Sequence, residues 1–214
     1  MYQTLDNALE KIKDRIRREF NHLGTLGFDE LNVVGTKKLT QEMYDRLLKE
    51  NESAYRKIAK EAYKRAKQQA EAVGYSAKEE TEIGTDWIAG VLAMYNLVTG
   101  YLYNKEAERK RLRISEEILT AREFGNRQAL NDSLRKSANL WYTQSMQYGI
   151  EMVDKGRMQA FKDMKVKYVR WVSVHDDRRC DDCKDRDGKI YKITEVPDKD
   201  HYGCRCYLEP IEEE

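Results

Sequence analysis

Apolar residues recur along the first part of the chain at steps of three and four, the period that lines one face of an α-helix. Leu5, Leu9, Ile12, Ile16, Phe20 and Leu23 form the first stripe, and Gly24 follows where a helix would stop. A second stripe runs from about Lys38 to Val73 through Leu39, Met43, Leu47, Tyr55, Ile58, Ala62, Ala66 and Ala70, with Gly74 as its end. It thins between Asn51 and Ser53, which predicts a bend. Ser76 and Glu79 are spaced as a capping box for a third helix. Its stripe is Ile83, Trp87, Val91, Tyr95, Val98 and Leu102, and a polar continuation keeps Ile114 and Ile118 in phase. Gly100 is placed to divide this run. From Asn126 to about Val153, residues Ala129, Leu130, Leu134, Trp141, Ser145 and Tyr148 predict a further helix, followed by a shorter one broken at Gly156.

The period changes at Val166 to Val174, "VKYVRWVSV", where β-branched and aromatic residues crowd together and predict a strand. Asp187-Gly188 is a turn signal leading into "KIY", and "CRCYLEPI" is again short and β-prone. The expected fold is mainly α, with an elongated helical N-terminal region and a small C-terminal β-rich (α+β) unit resembling a zinc knuckle.

Composition removes several function classes. The 214 residues carry 39 Lys and Arg against 38 Asp and Glu, so a net charge of +1 gives no general pull toward nucleic acid or an anionic membrane. Charged residues make up 36% of the chain and mean hydropathy is −0.86, as expected of a well-solvated helical protein. No apolar run approaches the ~20 residues needed to span a bilayer, and the first residues lack the apolar core of a signal peptide. A reducing cytoplasm is therefore the expected setting during synthesis, and it disfavours a disulfide framework.

Within that setting the cysteines carry the chemistry. Cys180 and Cys183 form a C-x2-C pair, and Cys204 and Cys206 a C-x-C pair. Two such pairs suit a tetrahedral structural zinc ion, because a tight turn presents both thiolates of C-x2-C to one centre. His201 is a fifth candidate. On a strand, Cys204 and Cys206 share a face and both ligate; alternatively His201 and Cys204 close the site and leave Cys206 packed or free. Four protein ligands leave no position for water, which favours a structural ion over a catalytic one. A β-rich unit this small cannot bury enough apolar surface to fold alone, so bound metal would supply the missing free energy. Two disulfides or unligated buried thiols are the rival readings.

A redox role for C-x2-C is disfavoured, since Asp181, Asp182 and Asp185 surround it and no α/β context precedes it. A Cys-His nucleophile lacks any nameable orienting group, and His175 reads as an exposed loop residue. From Asp176 to Asp187 there are six Asp against four Lys or Arg, a run that repels phosphate. The basic cluster Arg109, Lys110, Arg111 and Arg113 is the candidate for non-specific contact with double-stranded DNA, with a solvated helix face as the commoner explanation.

The run "YVRWVSVHDDRRCDDCKDRDGKIY" followed by "HYGCRC" resembles the C-terminal domain of the Mu F-like minor head, or head morphogenesis, proteins of tailed bacteriophages. Trp171, Asp176 or Asp177, Arg179, Cys180, Cys183, Asp187, Gly188, His201, Cys204, Arg205 and Cys206 carry the likeness. It is weaker over the preceding helix, where Tyr142, Thr143 and Gln144 stand near the family's Arg-Thr-Glu, and Tyr202 replaces the Pro that usually follows the His. The resemblance implies a minor virion protein that joins the procapsid, associates with the portal vertex and aids genome packaging or ejection. Residues 1–120 would then be a helical arm that binds portal, major capsid or scaffolding protein, and 121–214 the Mu F-like domain with the zinc site. The resemblance implies no catalysis and no membrane. A DNA-binding accessory factor and a degenerate ADP-ribosyltransferase-like domain are the alternatives, the second disfavoured by Tyr142 to Gln144.

Overall fold

The computed structural model describes residues 3–76, 87–88, 109, 111–177, 179–199 and 203–212. Most of these are helical. Helix α1 spans Gln3–Thr25, α2 Val33–Ala72, α3 residues 111–123 and α4 Arg127–Asp163. Strand β1 (Tyr168–Val172), the short helix α5 (Asp181–Arg186), β2 (Ile190–Lys192) and β3 (Tyr207–Pro210) follow. The fold is thus mainly α with a small C-terminal three-stranded antiparallel sheet, in the order β2-β1-β3. Apart from residues 87 and 88, which are helical, the stripe expected from Ile83 to Leu102 lies outside the described residues, as does Gly100. Among the described residues, no helix is long and apolar enough to cross a membrane.

Two compact units interleave along the chain. One gathers Asp6–Ala54 and Thr85–Ser145; the other gathers Met1–Leu5, Tyr55–Gly84 and Met146–Glu214. In the first, the predicted stripe of α1 is the buried face: Leu9, Ile12, Ile16, Phe20 and Leu23 are all at most 6% exposed. Ile114, Ile118, Leu130, Leu134 and Trp141 complete this core. The Trp141 indole donates to the Tyr44 hydroxyl at 3.1 Å, so its polar edge is not stranded by burial.

Helix α2 begins five residues before the predicted start, since Asn32 is its cap and accepts the Gly35 N–H at 3.0 Å. Its buried positions near this end are Thr36 and Thr40 rather than Leu39, which is half-buried. Thr40 satisfies its hydroxyl on the Thr36 carbonyl at 2.8 Å and meets Ser115 Oγ at 3.2 Å. Helix α2 is unbroken at Asn51, where the stripe thins. Asn51 is 3% exposed and donates to Ser145 Oγ at 3.2 Å, so the polar gap in the stripe is a buried hydrogen bond and the helix runs through it.

In the second unit, Ile58, Ala59, Ala62, Tyr63, Ala66 and Ala70 of α2 are buried, as are Ile150, Met152, Val153, Ala160 and Phe161 of α4. The break expected at Gly156 does not occur, and α4 is one helix. A Cβ on Gly156 would stand 2.5 Å from the Ala59 carbonyl oxygen and 3.1 Å from the Ala62 Cβ. Glycine here lets two helix backbones approach. Next to it Arg157, 2% exposed, donates to Gln69 Oε1 at 2.9 Å and to the Leu208 carbonyl of β3, and its guanidinium lies 5.5 and 5.4 Å from the Phe161 and Tyr207 rings. Tyr75 donates to the Ile211 carbonyl at 3.0 Å, a second tie to the chain beyond β3.

Helix propensity alone makes Gly→Ala favourable by about 1 kcal/mol. The contact with a backbone oxygen outweighs it, because overpacking a closed site costs about 1–3 kcal/mol. We expect Gly156→Ala to lower stability by about 1 kcal/mol in urea denaturation. A stabilised variant would refute the close approach.

Candidate metal centre

The sheet builds the site from its middle strand. Val169 pairs with Tyr191 of β2 and Trp171 with Leu208 of β3, so the ends of β1 and β3 converge near Trp171 and Cys206. Trp171 is 2% exposed and packs in one cluster with Cys183, Cys204 and Cys206, each at most 5% exposed. Arg186 stacks its guanidinium 5.2 Å from the Trp171 ring centroid. The turn at Asp187-Gly188 falls where the sequence predicts it. Gly188 has φ +76, which favours glycine, and its N–H reaches the Trp171 carbonyl at 2.8 Å.

The sulfurs of Cys183, Cys204 and Cys206 all lie within 4.8 Å of one another. Cys183 Sγ and Cys204 Sγ are 3.6 Å apart. A tetrahedral ion with metal–sulfur bonds of about 2.3 Å spaces its sulfurs by about 3.8 Å, whereas a disulfide needs about 2.05 Å. None of the four cysteines is in a disulfide, and the donor set fits a thiophilic ion. Cys180 caps α5, its sulfur accepting the Cys183 N–H at 3.3 Å. Cys206 lies within the group, as a ligand or as a packed neighbour of the other two sulfurs. His201 lies outside the described residues.

The thiols share their protons unequally. The Cys204 thiol donates toward Cys206, and Cys183 adds to it, pulling Cys206 toward the thiolate. Its giving role holds Cys204 protonated, and burial does the same for Cys183. Three buried sulfurs this close could hold a metal ion, which would displace the remaining protons.

Asp187 is the residue whose role the sequence understated. Its carboxylate accepts from the Ser173 N–H at 2.8 Å, from His175 Nε2 at 2.8 Å and from Arg179 at 2.9 Å. It therefore fastens the segment leaving β1 to the turn after α5. Arg205, between the two cysteines of C-x-C, pairs with Asp176. On the other flank Lys199 donates to Asp154 of α4 at 2.6 Å and to the Cys204 carbonyl at 3.3 Å, and the Gly203 N–H reaches Gln147 at 2.6 Å. A cavity of about 470 Å³, lined in part by Ile150, Met158, Val196 and Trp171, adjoins this flank.

The basic cluster is not one surface. Arg109 is exposed, but Arg111 is 6% exposed in the core of its unit, and Arg113 donates to Glu117 at 3.0 Å. Lys110 lies outside the described residues.

These features define a helical protein closed by a small sheet with a buried cysteine cluster. Residues 131–209 match the family model described as phage Mu protein F like protein, so this segment of the chain is similar to that family. No curated protein and no solved structure matches the chain. The matched segment contains Trp171, Asp187, both cysteine pairs and Arg205, and the structure gathers the described ones around one centre.

The pH dependence follows from Asp187. The Ser173 N–H first, then His175 and Arg179, hold its carboxyl down at about 2, against an ordinary value of 3.8. The stabilisation is present above the unfolded value and is lost as pH falls from about 4 through about 2. Asp187→Asn should cost about 1–2 kcal/mol at neutral pH and flatten the acid limb of the stability curve in that window. An unchanged acid limb would remove the carboxylate from this role.

Proposed function

We propose that this protein is a minor head component of a tailed phage that joins the procapsid at the portal vertex and assists genome packaging or ejection. The observation that carries the reading is the match over 131–209 together with its signature residues meeting in space. Residues 1–120 supply the helical arm that docks on the portal, with major capsid or scaffolding protein as neighbouring contacts. The C-terminal unit is the rigid cap.

In this reading the cysteine cluster holds a zinc ion as a structural staple. Cys183, Cys204 and Cys206 are its core ligands. Sulfur donors of this kind select zinc over calcium or magnesium, which require oxygen. The role is structural and not catalytic. Its support is the closed, buried character of the cluster and Tyr142 to Gln144 at the place of the family's Arg-Thr-Glu. Contact with duplex DNA is not part of the proposal, because Arg111 is withdrawn into the core and Arg113 is paired within its helix.

Two measurements test the reading. Purified protein should carry about one zinc per chain, and chelation should abolish the cooperative unfolding of the C-terminal unit. Cooperative folding retained in full without metal would reject the staple. Procapsids assembled with and without portal protein should differ, with incorporation only in the first. Equal incorporation in both would reject docking at the portal.

A further inference from the structure

The second half of α2 segregates its charge. Residues 55–72 carry six Lys and Arg against two Glu, in a chain whose net charge is +1. At 3.6 residues per turn, Arg56, Lys57, Lys60, Lys64 and Lys67 fall within an arc of about 100°. The buried residues of the same stretch, Tyr55, Ile58, Ala62 and Ala66 among them, point away from that arc. We propose that this face binds the phosphate backbone of duplex DNA.

The charges on it are available. Lys57, Lys60 and Lys64 are exposed, while Arg56 and Lys67 are half-buried at its margins. Among the described residues, no ion pair engages Lys57, Lys60 or Lys64. Glu61 lies outside the arc and takes Arg65 at 2.9 Å, and Glu71, at the far end, stands 3.9 Å from Lys67. From Arg56 to Lys67 the face runs for about 16 Å, roughly one positive charge per 4 Å. A DNA strand offers one phosphate per about 3.4 Å of duplex axis.

The composition of the face selects among anionic partners. Within residues 55–72 the arc holds no aromatic, aliphatic or Met side chain. Protein interfaces are enriched in aromatic residues, Met and Arg and depleted in Lys, so four lysines without an apolar anchor make a poor protein dock. An amphipathic helix lies in a membrane surface by burying its apolar side, and here that side is spent on the core. A duplex needs neither anchor nor insertion, because neutralising its phosphates releases condensed counterions. Lysines acting as point charges position a backbone and read no bases. The stretch at Arg109 to Arg113 makes no comparable face, since Arg111 is in the core.

The test follows a labelled mixed-sequence duplex by fluorescence anisotropy, with the full chain and a salt series. For wild type, log K against log salt should have a slope of about −4, the value for four to five phosphates. Lys57→Gln, Lys60→Gln and Lys64→Gln combined should make that slope shallower by about 3 and weaken binding by more than about 10-fold at low salt. Unchanged helicity and urea midpoint should accompany the loss, and the three corresponding Lys→Arg changes should keep the binding. Arg109→Gln with Arg113→Gln should leave the slope as it is. A wild type that binds no duplex at low salt, or a triple Gln variant that binds as wild type does, would overturn the proposal. Displacement of the duplex by polyglutamate as effectively as by unlabelled DNA, charge for charge, would also overturn it, by assigning the face to an acidic protein.

Discussion

A guanidinium at 2% exposure constrains the unit in which it sits. Arg157 cannot shed its charge, so its donors and its ring-facing planes must be satisfied within the fold. It meets Gln69 of α2, the Leu208 carbonyl of β3 and two aromatic rings. Helix, helix and sheet must therefore be in register before the charge is accommodated. Gly156, one residue earlier, sets how near the two helices come, and β3 in turn places Cys206 beside Trp171. The polar anchor and the sulfur cluster are successive layers of one arrangement. Removing one partner of such a buried charge costs far more than an exposed pair contributes.

The apolar period made α1 and much of α2 legible, because an amphipathic helix on a core needs little beyond its stripe. It failed where burial is polar. Thr36, Thr40 and Asn51 occupy inward positions through hydrogen bonds, which a hydrophobic pattern cannot register. Gly156 was misread for a related reason, since glycine as a helix breaker and glycine as a close-contact residue look alike in one dimension. Only the opposing Ala59 carbonyl distinguishes them.

The candidate site was legible in its cysteines and less so in its supports. Three of the four cysteines that the spacing singled out meet in space, and the turn at Asp187-Gly188 fell in place. Resemblance marked Asp176, Arg179, Asp187 and Arg205 as a set but assigned them no task. The structure supplies one, as two ion pairs that brace the arms carrying the cysteines. In the basic stretch around Arg109 to Arg113, helical phase turns Arg111 into the core while Arg109 and Arg113 stay exposed. Charge in sequence is not charge on a face until helical phase is known.

The order of the strands also bears on how the chain folds. β1 lies in the middle of the sheet, yet its neighbour β3 and the second cysteine pair are encoded more than thirty residues later. The partner of Arg157 on β3 and the partners of Cys183 both arrive with that last segment. A ribosome-bound chain lacking it would hold a buried cation, an open sheet edge and two reactive thiols without their native neighbours. That interval is when the unit is most exposed to mispairing and to aggregation. The segment that carries Cys204, Cys206 and β3 thus closes the edge, the charge and the sulfurs together.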